Sequence, residues 1–94
     1  MNRKDRLAAR SEGELDTTAF LKTADSFIDL ANRHNQKIKA TQLHMAFLYA
    51  AARYNAYVGK SVLQIDEHEP FVEKMVAEYR DMLRQHLADN TIGS

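Results

Sequence analysis

Apolar residues recur along this chain with a helical period in three separate stretches. Phe20, Ala24, Phe27, Ile28 and Ala31 stand at i, i+4, i+7, i+8 and i+11, one stripe of a 3.6-residue repeat. Asp25, Asp29, Asn32 and Arg33 fall opposite, and the Asp29–Arg33 spacing suits an i,i+4 ion pair. Asp16 or Thr17 can cap this helix through a side-chain oxygen, and HNQK closes it, so a helix is predicted over about 17–36. A second helix is predicted over about 41–58, capped by Thr41, stopped by Gly59 and followed by a linker KSVLQ. Val72, Met75, Val76, Tyr79, Met82, Leu83 and Leu87 form the stripe of a third, over about 67–88. Asp66 and Glu69 precede it as a D-x-x-E capping box. Pro70 fits the first turn, where amides lack intrahelical partners, and can itself mark the start.

The pattern is therefore all-α. Residues 16–89 form a single helical domain, either a three-helix antiparallel bundle or a hairpin plus a helix. Residues 1–15 lack a sustained apolar period beyond a short RLAAR and read as a flexible, basic and charged amino-terminal segment. Residues 90–94 read as a frayed tail.

The second helix departs from the simple amphipathic pattern. At 100° per residue, Leu43, Phe47, Ala50, Tyr54 and Val58 gather on one side, and Met45, Leu48, Tyr49, Ala52 and Ala56 on the other. Two narrow polar seams separate them, Arg53 on one flank and His44 with Asn55 on the other. A helix that is apolar nearly all round requires cover nearly all round, and two neighbouring helices cover only one side. A second copy of the chain is the leading candidate for the other side. Ala51, Ala52 and Ala56 allow close backbone approach, and a two-fold axis makes such a patch self-complementary. The alternatives are an amino-terminal segment folded over that face, or a different protein partner. Arg53 stands one turn from both Tyr49 and Tyr57, so its guanidinium can stack between two rings and pair with Glu73 or Glu78 of the third helix. The interaction surface is thus expected at Met45, Leu48, Tyr49, Ala52, Arg53, Ala56 and Tyr57. Asn55 is expected to set register through a buried hydrogen bond.

Composition narrows the class. Ninety-four residues with 45% hydrophobic content make one small domain. A chain of this size buries only about 60–65% of its unfolded surface, and so leans on a partner or a copy. The chain has no cysteine, which excludes disulfides, thiol nucleophiles and zinc–thiolate sites and suits a reducing compartment. The basic start lacks the apolar run of a signal peptide, and no apolar run approaches the ~18 residues of a membrane span. A cytoplasmic protein is expected.

Net charge is zero, but its distribution is uneven. Residues 30–65 contain Arg33, Lys37, Lys39, Arg53 and Lys60 and no acid, whereas residues 66–94 carry seven acids against Lys74, Arg80 and Arg84. A positive middle and a negative end can attract within one chain or between two.

The run Ala46-Phe47-Leu48-Tyr49-Ala50-Ala51-Ala52-Arg53-Tyr54-Asn55-Ala56-Tyr57 resembles the central signature of a small proteobacterial family known only as a domain of unknown function, whose members carry a "YA-small-ARFNAY" stretch. Phe27-Ile28-Asp29-Leu30-Ala31-Asn32 and Tyr79-Arg80-Asp81-Met82-Leu83 are similar to its flanking segments, and the likeness covers roughly residues 20–88. Tyr54 stands where the family has phenylalanine, and the long basic start is atypical. The resemblance implies a bacterial, cytoplasmic helical protein, and it carries no activity and no catalytic residue.

The residues alone carry little catalytic chemistry. His34 and His86 lie at the edges of apolar stripes and His68 lies among Asp66, Glu67 and Glu69, but there is no H-x-x-x-H, H-E-x-x-H or Glu-x-x-His pair. No G-x-S-x-G elbow, P-loop or G-x-G-x-x-G is present. The carboxylate pairs Asp25–Asp29 and Glu69–Glu73 belong to polar faces where nothing raises a pKa. The expectation is a non-enzyme without metal or cofactor, a protein-interaction or small regulatory binding module that forms a homodimer. The rival is a nucleic-acid-associated dimer using the arm Arg3, Lys4, Arg6 and Arg10 and the turn Arg33, Lys37 and Lys39. Against it, the turn is long for a helix-turn-helix and the third helix is acidic.

Overall fold

The computed structural model describes residues 16–93, and these form three α-helices with no strand among them. The segment 1–15, expected to be flexible, lies outside the described residues. The chain divides after Ala50 into two compact units.

The first unit contains α1, Thr17–His34, and the start of α2, Ala40–Tyr57. Asp16 is the cap of α1: its backbone is extended, and its Oδ1 accepts from the Ala19 amide at 2.7 Å. Thr17, the other candidate, is the first helical residue. Hydroxyls inside α1 satisfy themselves on the preceding turn, Thr23 Oγ1 donating to the Ala19 carbonyl at 3.0 Å and Ser26 Oγ to that of Thr23 at 2.6 Å. The helix ends two residues before its predicted limit of 36, because the His34 carbonyl takes the amides of Lys37 (3.0 Å) and Ile38 (2.9 Å) and tightens the chain into a turn. Arg33 and His34 stand in its last turn, where positive charge suits the helix dipole. Asp29 and Arg33 do not close into an ion pair; the ion pair among the described residues joins neighbours, Arg80 and Asp81, at 3.3 Å. The start of α2 also differs from expectation. The Lys39 carbonyl accepts from the amides of Gln42 (3.0 Å) and Leu43 (2.8 Å), so Thr41 is already inside the first turn and is not the cap.

The second unit contains the rest of α2, a π-helical turn at Val58–Val62, and α3, His68–Leu87. Gly59 does not stop the second helix. The coil widens at Val58 and continues to Val62, closed by the Leu63 amide on the Val58 carbonyl (2.9 Å) and the Ile65 amide on the Gly59 carbonyl (3.0 Å). The left-handed residue that ends it is Gln64, at φ 53°. Gly59 is glycine for a different reason: it is the buried residue among those described, and the Phe71 ring lies directly on it. A Cβ there would stand 2.9 Å from Phe71 Cε2 and 3.3 Å from Ile65 Cδ1. Asn55, Val58, Ile65, Phe71 and Met75 are half-buried in the same unit.

Gln64 carries the conformational cost that glycine would avoid. Gln64→Gly is therefore expected to raise stability by about 0.5–1 kcal/mol, less the extra freedom glycine gives the unfolded chain. A urea midpoint that falls on substitution would mean that the glutamine side chain holds the turn in place.

The predicted capping box does not form. Glu67, extended at φ −122° and ψ 133°, occupies the cap position and makes no side-chain cap bond, so Asp66 and Glu69 are out of register for a reciprocal pair. Glu69 still complements the dipole from the first turn, and Pro70 occupies the third helical position without breaking a helical hydrogen bond. The predicted tail begins with a turn in which Asp89 Oδ1 accepts from the Thr91 amide (2.9 Å) and hydroxyl (2.8 Å). These two bonds hold the Asp89 carboxyl below its ordinary range.

Candidate functional site

No pocket or cluster in the described residues brings reactive groups together. No group of three or more His, Asp or Glu side chains stands close enough to hold a metal ion among them. A concavity runs along one side of α3, lined by Lys74, Ala77, Glu78, Asp81, Met82 and Gln85, and lies open to water. What the helices do present is apolar surface. Phe20, Phe27 and Ile28 of the α1 stripe are exposed, Phe20 to 60%, while only the small Ala24 and Ala31 of that stripe are half-buried. The α3 stripe behaves alike, with Val72, Val76, Tyr79, Met82, Leu83 and Leu87 exposed and Met75 half-buried.

The residues expected at the interaction face come from one continuous helix, so helix periodicity alone brings them together. Met45, Leu48, Tyr49, Ala52 and Ala56 are all exposed, Tyr49 to 68%. The opposite side of α2 is better covered at its ends, where Leu43 and Val58 are half-buried. Phe47 on that side remains 37% exposed, short of the burial its position predicts.

The expected stacking of Arg53 between Tyr49 and Tyr57 is not present. The ring contact instead joins Tyr54 and Tyr57, with centroids 5.9 Å apart and planes inclined at 40°. These two residues, three apart, share a helix edge, and the tyrosine pair forms without the guanidinium. No ion pair links Arg53 to Glu73 or Glu78 among the described residues. Asn55 is half-buried, but its side chain makes none of the hydrogen bonds within the described residues that a register-setting group requires. Arg33, Lys37 and Lys39 are exposed at and after the end of α1.

The packing that sequence reasoning missed is Gly59 with Phe71 and Ile65. Its signal was a glycine placed inside a run that stays apolar beyond it, at Val62, Leu63 and Ile65. No helix in the described residues is long and apolar enough to cross a membrane.

These features define a small all-α protein whose apolar helix faces are its prominent surfaces. The family described as "Protein of unknown function (DUF3144)" matches residues 20–91, from the first turn of α1 to the turn after α3. The chain belongs to that family. No curated protein and no solved structure matches it.

Proposed function

We propose that this chain is a non-catalytic interaction module of the bacterial cytoplasm that self-associates through the second face of α2. One observation carries the reading: the described residues bury Gly59 alone, while apolar stripes on all three helices face outward. Apolar side chains exposed to this extent along a helix mark an interface in a folded protein. The Met45, Leu48, Tyr49, Ala52 and Ala56 face is the strongest part of it. It combines large side chains with small ones that admit a second backbone, and its own helix offers it no cover. The non-catalytic part rests on the sequence, which holds no nucleophile, base and acid at workable spacing.

Light-scattering mass at several protein concentrations in moderate salt tests the reading. Self-association gives twice the 10.8 kDa chain mass. A constant 10.8 kDa across the concentration range would overturn it and leave the same face to an unlike partner. The exposed Arg33, Lys37 and Lys39 favour one rival, a dimer associated with nucleic acid. That rival requires a short duplex to bind with an affinity that falls steeply as salt rises.

A further inference from the structure

We propose that two copies pack their α2 helices antiparallel across a two-fold axis between Leu48 and Tyr49. The basic α1–α2 turn of one copy then lies against the acidic stretch that follows α2 in the other. The proposal rests on the self-association reading above and adds its orientation. Three features support it.

The first is side-chain size. Leu48 and Tyr49 are the middle residues of α2, which runs Ala40–Tyr57. Antiparallel overlap about that midpoint sets Leu48 opposite Tyr49, Met45 opposite Ala52 and Thr41 opposite Ala56. Met45 of the amino-terminal half then faces the small Ala52 of the carboxy-terminal half at both ends of the pair, while the large Leu48 and Tyr49 meet at the axis. A parallel pair sets Met45 on Met45 and Ala52 on Ala52, and no single spacing fits both ends.

The second is the flanking seam. In an antiparallel pair each flank of a helix faces the same flank of the other copy, so the seam of His44 and Asn55 meets itself with His44 beside Asn55. This gives the half-buried Asn55 carboxamide a polar neighbour from the other chain.

The third is charge. Residues 31–47 hold Arg33, Lys37 and Lys39 and no acid, while residues 57–73 hold Asp66, Glu67, Glu69 and Glu73 against Lys60. α2 itself has no acidic residue in its first turn and no basic residue in its last, so nothing on the helix offsets its dipole, and the preceding lysines add to the positive end. A parallel pair brings like ends together. An antiparallel pair brings each positive end to acids of the other copy.

The chain has no cysteine, so introduced thiols report the orientation without competition. Met45→Cys and Ala52→Cys chains, oxidised mildly alone and as an equimolar mixture, should give a disulfide-linked dimer only in the mixture. The two Met45 positions stand about 10 Å apart along the axis in the antiparallel pair, beyond the ~4 Å Cβ separation a disulfide needs. Linked dimers from each variant alone would overturn the orientation in favour of a parallel pair. A chain of dimer mass that links in no combination would place the interface elsewhere and leave self-association standing. Monomer mass for the unaltered chain would instead remove the self-association reading itself. The charge contact has its own measurement. Lys37→Glu with Lys39→Glu should weaken dimerisation by roughly tenfold at low salt. Adding Glu67→Lys and Glu69→Lys to the same chain should restore it, and failure to restore it overturns the contact between the two flanks.

Discussion

Gly59→Val is expected to destabilise the folded chain by about 2–3 kcal/mol, read from chemical denaturation. The position lies under the Phe71 ring, and even a Cβ would stand 2.9 Å from Cε2 and 3.1 Å from Cζ of that ring. A methyl group alone can be accommodated in part, because Phe71 is half-buried and its ring can tilt. Gly59→Ala also recovers about 1 kcal/mol of helix propensity, so its net effect should be small. Valine adds two further carbons on a stiff χ1, where the ring and the Ile65 Cδ1, 3.3 Å from the same Cβ position, already crowd the site. Phe71→Ala should remove most of the valine penalty, leaving a coupling of about 1 kcal/mol or more between the two sites. Additive effects would show that the glycine is not held by the ring.

On the proposed pairing of two copies through α2, Ala52→Glu should give monomers while leaving the helix content near its original value. Ala52 is exposed in the single chain, so a glutamate there costs the isolated fold little. Between two packed helices, the same carboxylate has to leave water without a partner, at several kcal/mol per copy. Two copies per interface double that cost, enough to shift a micromolar equilibrium beyond ordinary concentrations. Light scattering gives the mass and far-ultraviolet circular dichroism the helix content. A full dimer mass for this variant would take the second face of α2 out of the interface.

The three helices were legible because their apolar stripes have a period that no other structure shares. Asp16 was legible as a cap for a comparable reason: a short acceptor just before an apolar repeat has few other uses. Sequence and structure part where one residue type serves two purposes. Gly59 reads as a stop because glycine so often ends helices, whereas in the fold it makes room for a ring twelve positions further on. The true end falls at Gln64, a residue that seldom adopts the left-handed conformation and so gives no warning. The Asp66–Glu69 box failed by a single residue, since the spacing of a motif does not decide which residue becomes the cap. On the candidate site, the exposed α2 face follows from helix periodicity. The Arg53 stack did not form because one turn of spacing brings a side chain within reach of two rings without choosing between contacts, and Tyr54 took Tyr57 instead.

The contact of Gly59 with Ile65 and Phe71 closes loops of six and twelve residues. Loops of that size close in roughly 10–100 ns, and a nucleus with such short sequence separation forms without waiting for distant parts of the chain. The carboxy-terminal unit therefore reaches native-like order early in refolding, independently of protein concentration. On the proposed pairing, joining of the α2 faces follows as a second phase whose rate rises with concentration. Refolding followed by a probe at Phe71 and by a probe on Tyr49 should separate in time, and the gap should narrow as more chain is added.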